Sequence, residues 1–311
     1  MKKTIFFSSI LIIIVLSLIF VVNLPKKTEN KSVKLKIVTT LFPLYDFAKV
    51  IGGDKVEVSL LLPPGVDAHS FEPKPSDIEK INESDIFIYT GKFMEPWVSG
   101  ITSNLNNKKT IIVDSSIGVK MEQAVFHSQE TMNSINDPHI WLDFDNDKIM
   151  AKSIMQALID KDPLNKDYYT NNFQAYQDKL SALDTEYATS LAKCQSKEII
   201  YGGHYAFGYL ANRYGLEYLA VQGISPDAEP SAQELMKMVE QIKKDGVKYI
   251  FYEELSSPKI AQTLSAETNA KLLLLNAAHN LTKDDFTNNI SYLTIMEENL
   301  VSLKEGLICQ K

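Results

Sequence analysis

The chain has 311 residues and five histidines, His69, His127, His139, His204 and His279. Histidine is the commonest ligand for borderline-soft divalent metals near neutral pH. Four of the five stand in distinctive surroundings. His69 lies in Pro63-Pro64-Gly65-Val66-Asp67-Ala68-His69-Ser70, and His139 lies in Asp137-Pro138-His139-Ile140-Trp141-Leu142-Asp143. His204 lies in Gly202-Gly203-His204-Tyr205-Ala206-Phe207, and His279 lies in Asn276-Ala277-Ala278-His279-Asn280. Neutral imidazole suits Zn²⁺, which takes four ligands in a tetrahedron at about 2.0–2.1 Å. The four are too scattered for the short spacings of a zinc finger. No His-x-x-x-His pair occurs, so a helix-borne catalytic zinc motif is absent. A lone histidine is usually a hydrogen-bonded surface or core side chain, so the argument rests on where all four are placed.

That placement follows from the order of elements. Lys34–Thr40 and Val56–Leu62 read as strands around a helix over Leu44–Ile51 that ends at Gly52-Gly53. Ser76-Asp77-Ile78-Glu79 reads as a capping box opening a short helix, and Ile86–Thr90 and Thr110–Asp114 as strands. From Lys166 to Cys194 no Pro or Gly occurs, and Phe173, Tyr176, Leu180, Leu183, Tyr187 and Leu191 recur at spacings of three and four. That is one apolar stripe on a helix of roughly 40 Å, a spine between two lobes. Beyond it, strands are expected at Glu198–Tyr201, Glu217–Val221, Tyr249–Tyr252 and Lys271–Leu275. Helices are expected over Ala206–Tyr214, from Ser231-Ala232-Gln233-Glu234 to Asp245, over Pro258–Thr268 and over Phe286–Leu307. The fold class is therefore α/β, two lobes each with a mostly parallel sheet flanked by helices. The boundaries are 1–32 for an N-terminal segment, 33–165 for the first lobe, 166–194 for the linking helix and 195–311 for the second lobe. His69, His204 and His279 then fall in loops after strands, the edge where open α/β sheets bind ligands. Two such edges facing each other would bring His69, His139, His204 and His279 together.

The bulk properties narrow the function classes. Apolar content of 45% and charged content of 23% fit a folded globular chain. Met1-Lys2-Lys3 followed by the apolar run Ile5–Val22 reads as an export signal. It is either a cleaved signal peptide or an uncleaved anchor, since no small-x-small cleavage site follows and the run is just long enough to span a bilayer. No Cys follows for lipid attachment, and Lys26–Ser32 reads as a tether. Both readings place the remainder outside the cytoplasm, secreted across the membrane and tethered at the cell surface or in the periplasm. The formal charge is −7; residues 1–32 carry five lysines and one glutamate, so the rest holds 27 basic against 38 acidic residues, or −11. Arg213 is the sole arginine. An acidic, arginine-poor body argues against nucleic acid as a partner. The two cysteines, Cys194 and Cys309, are expected to pair outside the cytoplasm, the alternative being two unrelated thiols.

At four segments the sequence resembles the zinc-type metal-binding (solute-binding) proteins of ABC importers, a family that also holds manganese-binding, adhesin-like relatives. The carriers are Pro64-Gly65-Val66-Asp67-Ala68-His69 with Phe71-Glu72-Pro73; Asp137-Pro138-His139-Ile140-Trp141-Leu142-Asp143; His204 through Leu210 on to Arg213-Tyr214-Gly215-Leu216; and Ile224 through Ser231. The resemblance runs from about Lys34 to Leu307. It implies two lobes joined by one long helix, a metal at their interface, an ABC permease at the membrane as partner, and a monomer without enzymatic activity. It implies His69 and His139 as ligands from the first lobe and His204 as the third. Manganese-type relatives tend to carry a carboxylate at this third position; imidazole favours Zn²⁺. The fourth position departs from the family. Many members have Asp where this chain has Asn276, and others have Glu where it has His279. His279 is taken as the fourth ligand, with Asn276, a water or a three-histidine open site as rivals. Asp137 and Glu253 could offset the metal's charge by holding ligating imidazoles; Glu253-Glu254 follows a strand, and a structural role is the plainer reading of Glu253. The loop Val119–Asn136, His-rich in many members, holds only His127 with Glu122 and Glu130. His127 is read as a solvated loop residue, with weak metal recruitment as the sharper alternative. Trp97 and Trp141 read as packing residues, and Glu229-Pro230-Ser231 as a helix entry.

Three classes remain. A binding protein that captures Zn²⁺ and delivers it to a permease predicts a closed site of protein ligands; Mn²⁺ or Fe²⁺ is the rival cargo. A metallohydrolase needs an open position and a base, and no base stands at a fixed short spacing from a ligand. An adhesin would show a basic or aromatic surface stripe, and none is evident.

Overall fold

The computed structural model describes residues 34–106, 109–124, 135–227, 229–255 and 257–310. The export segment, His127 and Glu130 lie outside the described residues. Among those described, no helix is long and apolar enough to cross a membrane.

The first sheet has the order β2-β1-β3-β4 and is parallel throughout. Its strands are β1 (Leu35–Thr39), β2 (Val56–Leu60), β3 (Ile86–Tyr89) and β4 (Ile111–Asp114). The second, also parallel, has the order β10-β9-β7-β8, from β7 (Glu198–Tyr201), β8 (Glu217–Ala220), β9 (Tyr249–Tyr252) and β10 (Lys271–Leu274). A small antiparallel pair, β5 (Gln123–Ala124) with β6 (Ile135–Asn136), lies between them in sequence. In each large sheet the chain steps outward once and returns on the other side of its first strand. The order therefore reverses between β1 and β3 in one sheet and between β7 and β9 in the other, leaving a crevice at the strand ends of each.

Both faces of each sheet are buried, as period-2 side-chain alternation allows. Ile37, Ile86 and Ile88 enter the main core, while Val38 and Phe87 join a smaller cluster with Ile81, Val98 and Leu105. Ile199, Tyr201 and Phe251 enter that same main core, while Ile200 and Ile250 pack with Ile242, Ala261 and Leu264. One apolar core thus runs through both sheets.

The helices are α1 (Phe42–Gly52), α2 (Pro75–Glu83), α3 (Val98–Thr102), α4 (Phe144–Lys161), α5 (Lys166–Leu191), α6 (Gly208–Tyr214), α7 (Ala232–Asp245), α8 (Lys259–Thr268), α9 (Lys283–Thr287) and α10 (Tyr292–Gly306). The spine expected from periodicity is α5, and each of its six stripe residues is buried, with Tyr169 added one turn earlier. Arg213 on α6 donates to Asp184 of α5 and to Asp143 and Asp145 at the start of α4, tying three helices together. Cys194 and Cys309 form a disulfide between the end of the spine region and the end of α10.

Three local expectations are corrected. The box over Ser76–Glu79 is displaced: α2 begins at Pro75, and it is Asp77 Oδ2 that accepts the Lys74 N–H at 3.1 Å. Pro at the first helical position costs no hydrogen bond there, which favours the earlier start. The final helix is two, because Asn289 adopts φ 54° and Ser291 starts a new helix by accepting the Thr294 N–H. The 18-residue α4 was not expected; its signal was Asp143, whose carboxylate accepts the N–H groups of Asp145 and Asn146.

Candidate metal centre

Each histidine of the set is presented by a short segment with its own restraints. His69 follows β2 and precedes α2. Its turn is held by Asp67 Oδ1, which accepts the Ser70 N–H at 3.0 Å. Asn280 Nδ2 ties that same segment to the far end of the chain by donating to the carbonyls of Pro63 and Val66, each at 2.8 Å. His139 precedes a 3₁₀ turn over Ile140–Leu142. Asp137 Oδ1 accepts both its backbone N–H at 3.0 Å and its ring Nδ1 at 2.7 Å. His204 follows β7, and its Nδ1 meets Glu253 Oε2, just beyond β9, at 2.9 Å. These are the two strands on either side of the reversal in the second sheet. Gly203 permits the approach, since a Cβ there would lie 3.2 Å from Glu253 Oε2 and 2.7 Å from the Tyr201 ring. His279 follows β10, and Ala278 before it takes φ 56°, a left-handed conformation costing a non-glycine residue about 1–2 kcal/mol.

The structure brings all four rings together. Nε2 of His139 lies 3.2 Å from Nε2 of His69 and 3.2 Å from Nε2 of His204. His204 and His279 have ring centroids 5.9 Å apart. Ligand atoms of His69, His139 and His204 all lie within 4.8 Å of one another, as do those of His204, Glu253 and His279. A tetrahedron with arms of 2.0–2.1 Å has edges of about 3.3–3.4 Å, so the 3.2 Å separations match a metal's coordination edge.

Hydrogen-bond logic points the same way. With Asp137 and Glu253 ionised, each accepts an Nδ1–H, which leaves Nε2 of His139 and of His204 as bare lone pairs. Two such lone pairs 3.2 Å apart repel unless a cation or a proton lies between them. His139 and His204 are 0% exposed and His279 is 3% exposed, so water is largely excluded. Among the described residues neither ring nitrogen of His279 has a hydrogen-bond partner, an unusual state for a buried imidazole.

Protonation of the imidazoles is suppressed here. Burial, then the neighbouring His204 and His279, pushes the His69 imidazole down to about 3. Burial followed by the charges of His69, His204 and His279 holds His139 well below its ordinary value, and burial lowers His279. Burial acts the opposite way on the Asp137 carboxyl, raising it to about 8, so the ionised form that accepts the His139 Nδ1–H is the form a cation at the centre would favour.

Asn276, the rival for the fourth position, is turned to another task. Its Oδ1 accepts the Ala278 N–H at 2.8 Å and its Nδ2 donates to Glu254. Asn299 brackets its backbone, accepting from the N–H and donating to the C=O at 2.8 Å each. Trp141 packs as expected, edge-on to His139 at 5.4 Å, but its indole N–H also donates to the Ala277 carbonyl at 2.7 Å. Nothing in the sequence pattern announced that bond, which spans 136 positions. Trp97 packs against Phe71 at 6.1 Å, and both line a cavity of about 440 Å³ whose wall includes His69. Glu95, not singled out by the sequence, is buried beside that cavity and accepts from Thr40 Oγ1 and from the N–H groups of Thr90 and Gly91.

Two parallel α/β sheets on one long helix, with buried imidazoles gathered at their strand ends, define a metal-binding protein of the two-lobed solute-binding class. The comparisons narrow this. The family model described as "Zinc-uptake complex component A periplasmic" matches residues 37–306, and the chain belongs to that family. It is 37% identical over 287 residues to the high-affinity zinc uptake system protein ZnuA of Bacillus subtilis (strain 168), covering 90% of each chain. It is 37% identical over 279 residues to the zinc-binding lipoprotein AdcA of Streptococcus pneumoniae serotype 4, where it spans 56% of that longer protein. Among solved structures it resembles the Zn(II)-bound ZnuA-like domain of Streptococcus pneumoniae AdcA, at 35% identity and a TM-score of 0.77, covering 88% of this chain and 99% of the other. It also resembles the laminin-binding protein Lmb of Streptococcus agalactiae, described as an adhesin with metal transporting activity, at 31% identity and a TM-score of 0.78, covering 88% and 100%.

Proposed function

We propose that the chain is an extracytoplasmic Zn²⁺-binding protein that captures the ion between its two lobes and hands it to an ABC permease. His69, His139, His204 and His279 are the ligands in this reading, and Zn²⁺ is cargo that is bound and released without turnover. The observation that carries it is the pair of facing Nε2 atoms on His139 and His204, 3.2 Å apart, with their Nδ1 atoms held by Asp137 and Glu253. That arrangement orients lone pairs at a common point, as ligating imidazoles require. An all-nitrogen set favours Zn²⁺ over the oxygen-preferring Mn²⁺. Four protein ligands leave no open position for a hydrolytic water. The working lobe boundaries remain 33–165, 166–194 and 195–311, with 1–32 as export signal or anchor and tether, and the protein acts as a monomer.

The test is competition calorimetry on chelator-stripped protein lacking residues 1–33, as wild type and as His279→Ala. One Zn²⁺ per chain, weaker Mn²⁺ and a loss of at least tenfold in the variant support the reading. An unchanged affinity in the variant removes His279 from the ligand set, and Mn²⁺ binding tighter than Zn²⁺ overturns the choice of cargo.

A further inference from the structure

His279 differs from its buried partners in what orients it. His139 and His204 each have a carboxylate on Nδ1, at 2.7 and 2.9 Å. His279 has no such partner among the described residues, so hydrogen bonds fix the backbone that carries the ring and not the ring itself. That backbone is held at three points: Ala278 N–H donates to Asn276 Oδ1, the Phe42 N–H donates to the His279 carbonyl at 3.2 Å, and the Ala277 carbonyl accepts from Trp141. The last tie is unlike the others, because Trp141 belongs to the segment that carries His139. Trp141 is itself fixed from behind: the Tyr292 hydroxyl donates to its carbonyl and lies 2.9 Å from Asp147 Oδ2. The indole is fully buried.

We propose that Trp141 is a positioning residue for the metal centre: its N–H bond to the Ala277 carbonyl sets the turn that aims His279, so the fourth ligand is placed by the segment that supplies the second. The inference rests on His279 being a ligand. A hydrogen bond across the fold, made by a side chain in edge contact with one ligand and ending two residues from another, transmits position where no direct contact to the ring exists. Trp141→Phe deletes the donor and keeps an aromatic ring in place.

The experiment is a double-mutant cycle on the metal-stripped protein: wild type, Trp141→Phe, His279→Ala and the double variant. Zn²⁺ affinity is read by chelator competition, and Co²⁺ visible absorption reports the coordination number. Trp141→Phe is expected to lower Zn²⁺ affinity by several-fold to about tenfold, within the range of one net hydrogen bond, and to weaken the intense absorption of four-coordinate Co²⁺. In the His279→Ala background the same change is expected to cost less than about twofold, since the group it acts through is gone. Equal losses in both backgrounds, or no loss in either, overturn the inference. If His279→Ala alone leaves affinity and spectrum unchanged, the fourth-ligand reading fails first and this inference falls with it. Should Trp141→Phe not fold, Tyr292→Phe releases the Trp141 carbonyl without altering the indole. It is expected to show the same dependence on His279, and a loss independent of His279 overturns the proposal there too.

Discussion

Asp137 and Glu253 do the same work from different lobes. Each is buried, each accepts from the Nδ1 of a fully buried histidine, and each fixes the tautomer that presents Nε2 to the centre. On the proposed reading, their ionised forms would offset a dication that four neutral imidazoles leave uncompensated. Replacing either by its amide, Asp137→Asn or Glu253→Gln, is expected to lower Zn²⁺ affinity by about 10–100-fold with the fold intact, read by chelator competition and circular dichroism. A change under about twofold would mean that these carboxylates only fill hydrogen-bonding needs. At this scale the sequence was informative where a residue type is rare and its neighbours are distinctive, as with the histidines. It offered Asp137 and Glu253 as carboxylates for holding ligating imidazoles, with a structural role as the other reading of Glu253. It was silent on the Trp141–Ala277 bond and on Glu95, because a bond across 136 positions or a carboxylate buried under a loop leaves no local pattern. Asn276 shows the limit from the other side: its type and place suited a ligand, and only the geometry of the Ala278 turn shows where its amide is used.

Among the elements, α5 carries the clearest signature and the heaviest duty. A 26-residue helix without Pro or Gly keeps one apolar stripe in register, and that stripe packs into the core that both sheets share. Truncating a fully buried side chain on it leaves a cavity in both halves' common support. Leu180→Ala is expected to cost about 2–5 kcal/mol, seen as a lower denaturant midpoint with an unchanged slope. A cost below ~1 kcal/mol would mean that the site relaxes and that the helix is less central than its packing indicates. Strand positions were legible for a related reason, since short apolar runs of strand length alternating with helical segments have few alternatives. Helix starts were less so. The Lys74–Asp77 contact and the Asn289 break each depend on one backbone conformation that several residue types satisfy, whereas the Asp143 cap of α4 was a local signal left unread.

For the molecule as a whole, pH acts through groups other than the imidazoles as well. Burial raises the Glu95 carboxyl from its ordinary 4.5 to about 7. Between those values the folded chain keeps a proton that the unfolded chain has released, so Glu95's share of stability is present at low pH and is lost as pH rises through about 7. The loss is on the order of 3 kcal/mol at its fullest. Glu95→Gln, which cannot ionise, is expected to gain on the wild type steadily from about pH 4.5 to 7 in metal-free unfolding experiments, any fixed offset from the altered donors aside. A difference independent of pH would show that Glu95 is already ionised in the folded state. The two-sheet plan was readable as alternation of strand and helix, yet the joining of the sheets into one core was not, since it depends on contacts such as Tyr292 N–H to Asp46 across 246 positions. The turn that bears His279 is anchored the same way, by Asn280 reaching Pro63 across 217 positions. The four imidazoles are therefore neighbours only in the closed chain, since contacts across 217 and 246 positions set their places. On the proposed reading, an unfolded chain would offer zinc only separate imidazoles, so the ion would stabilise the folded state over the unfolded one by its differential affinity.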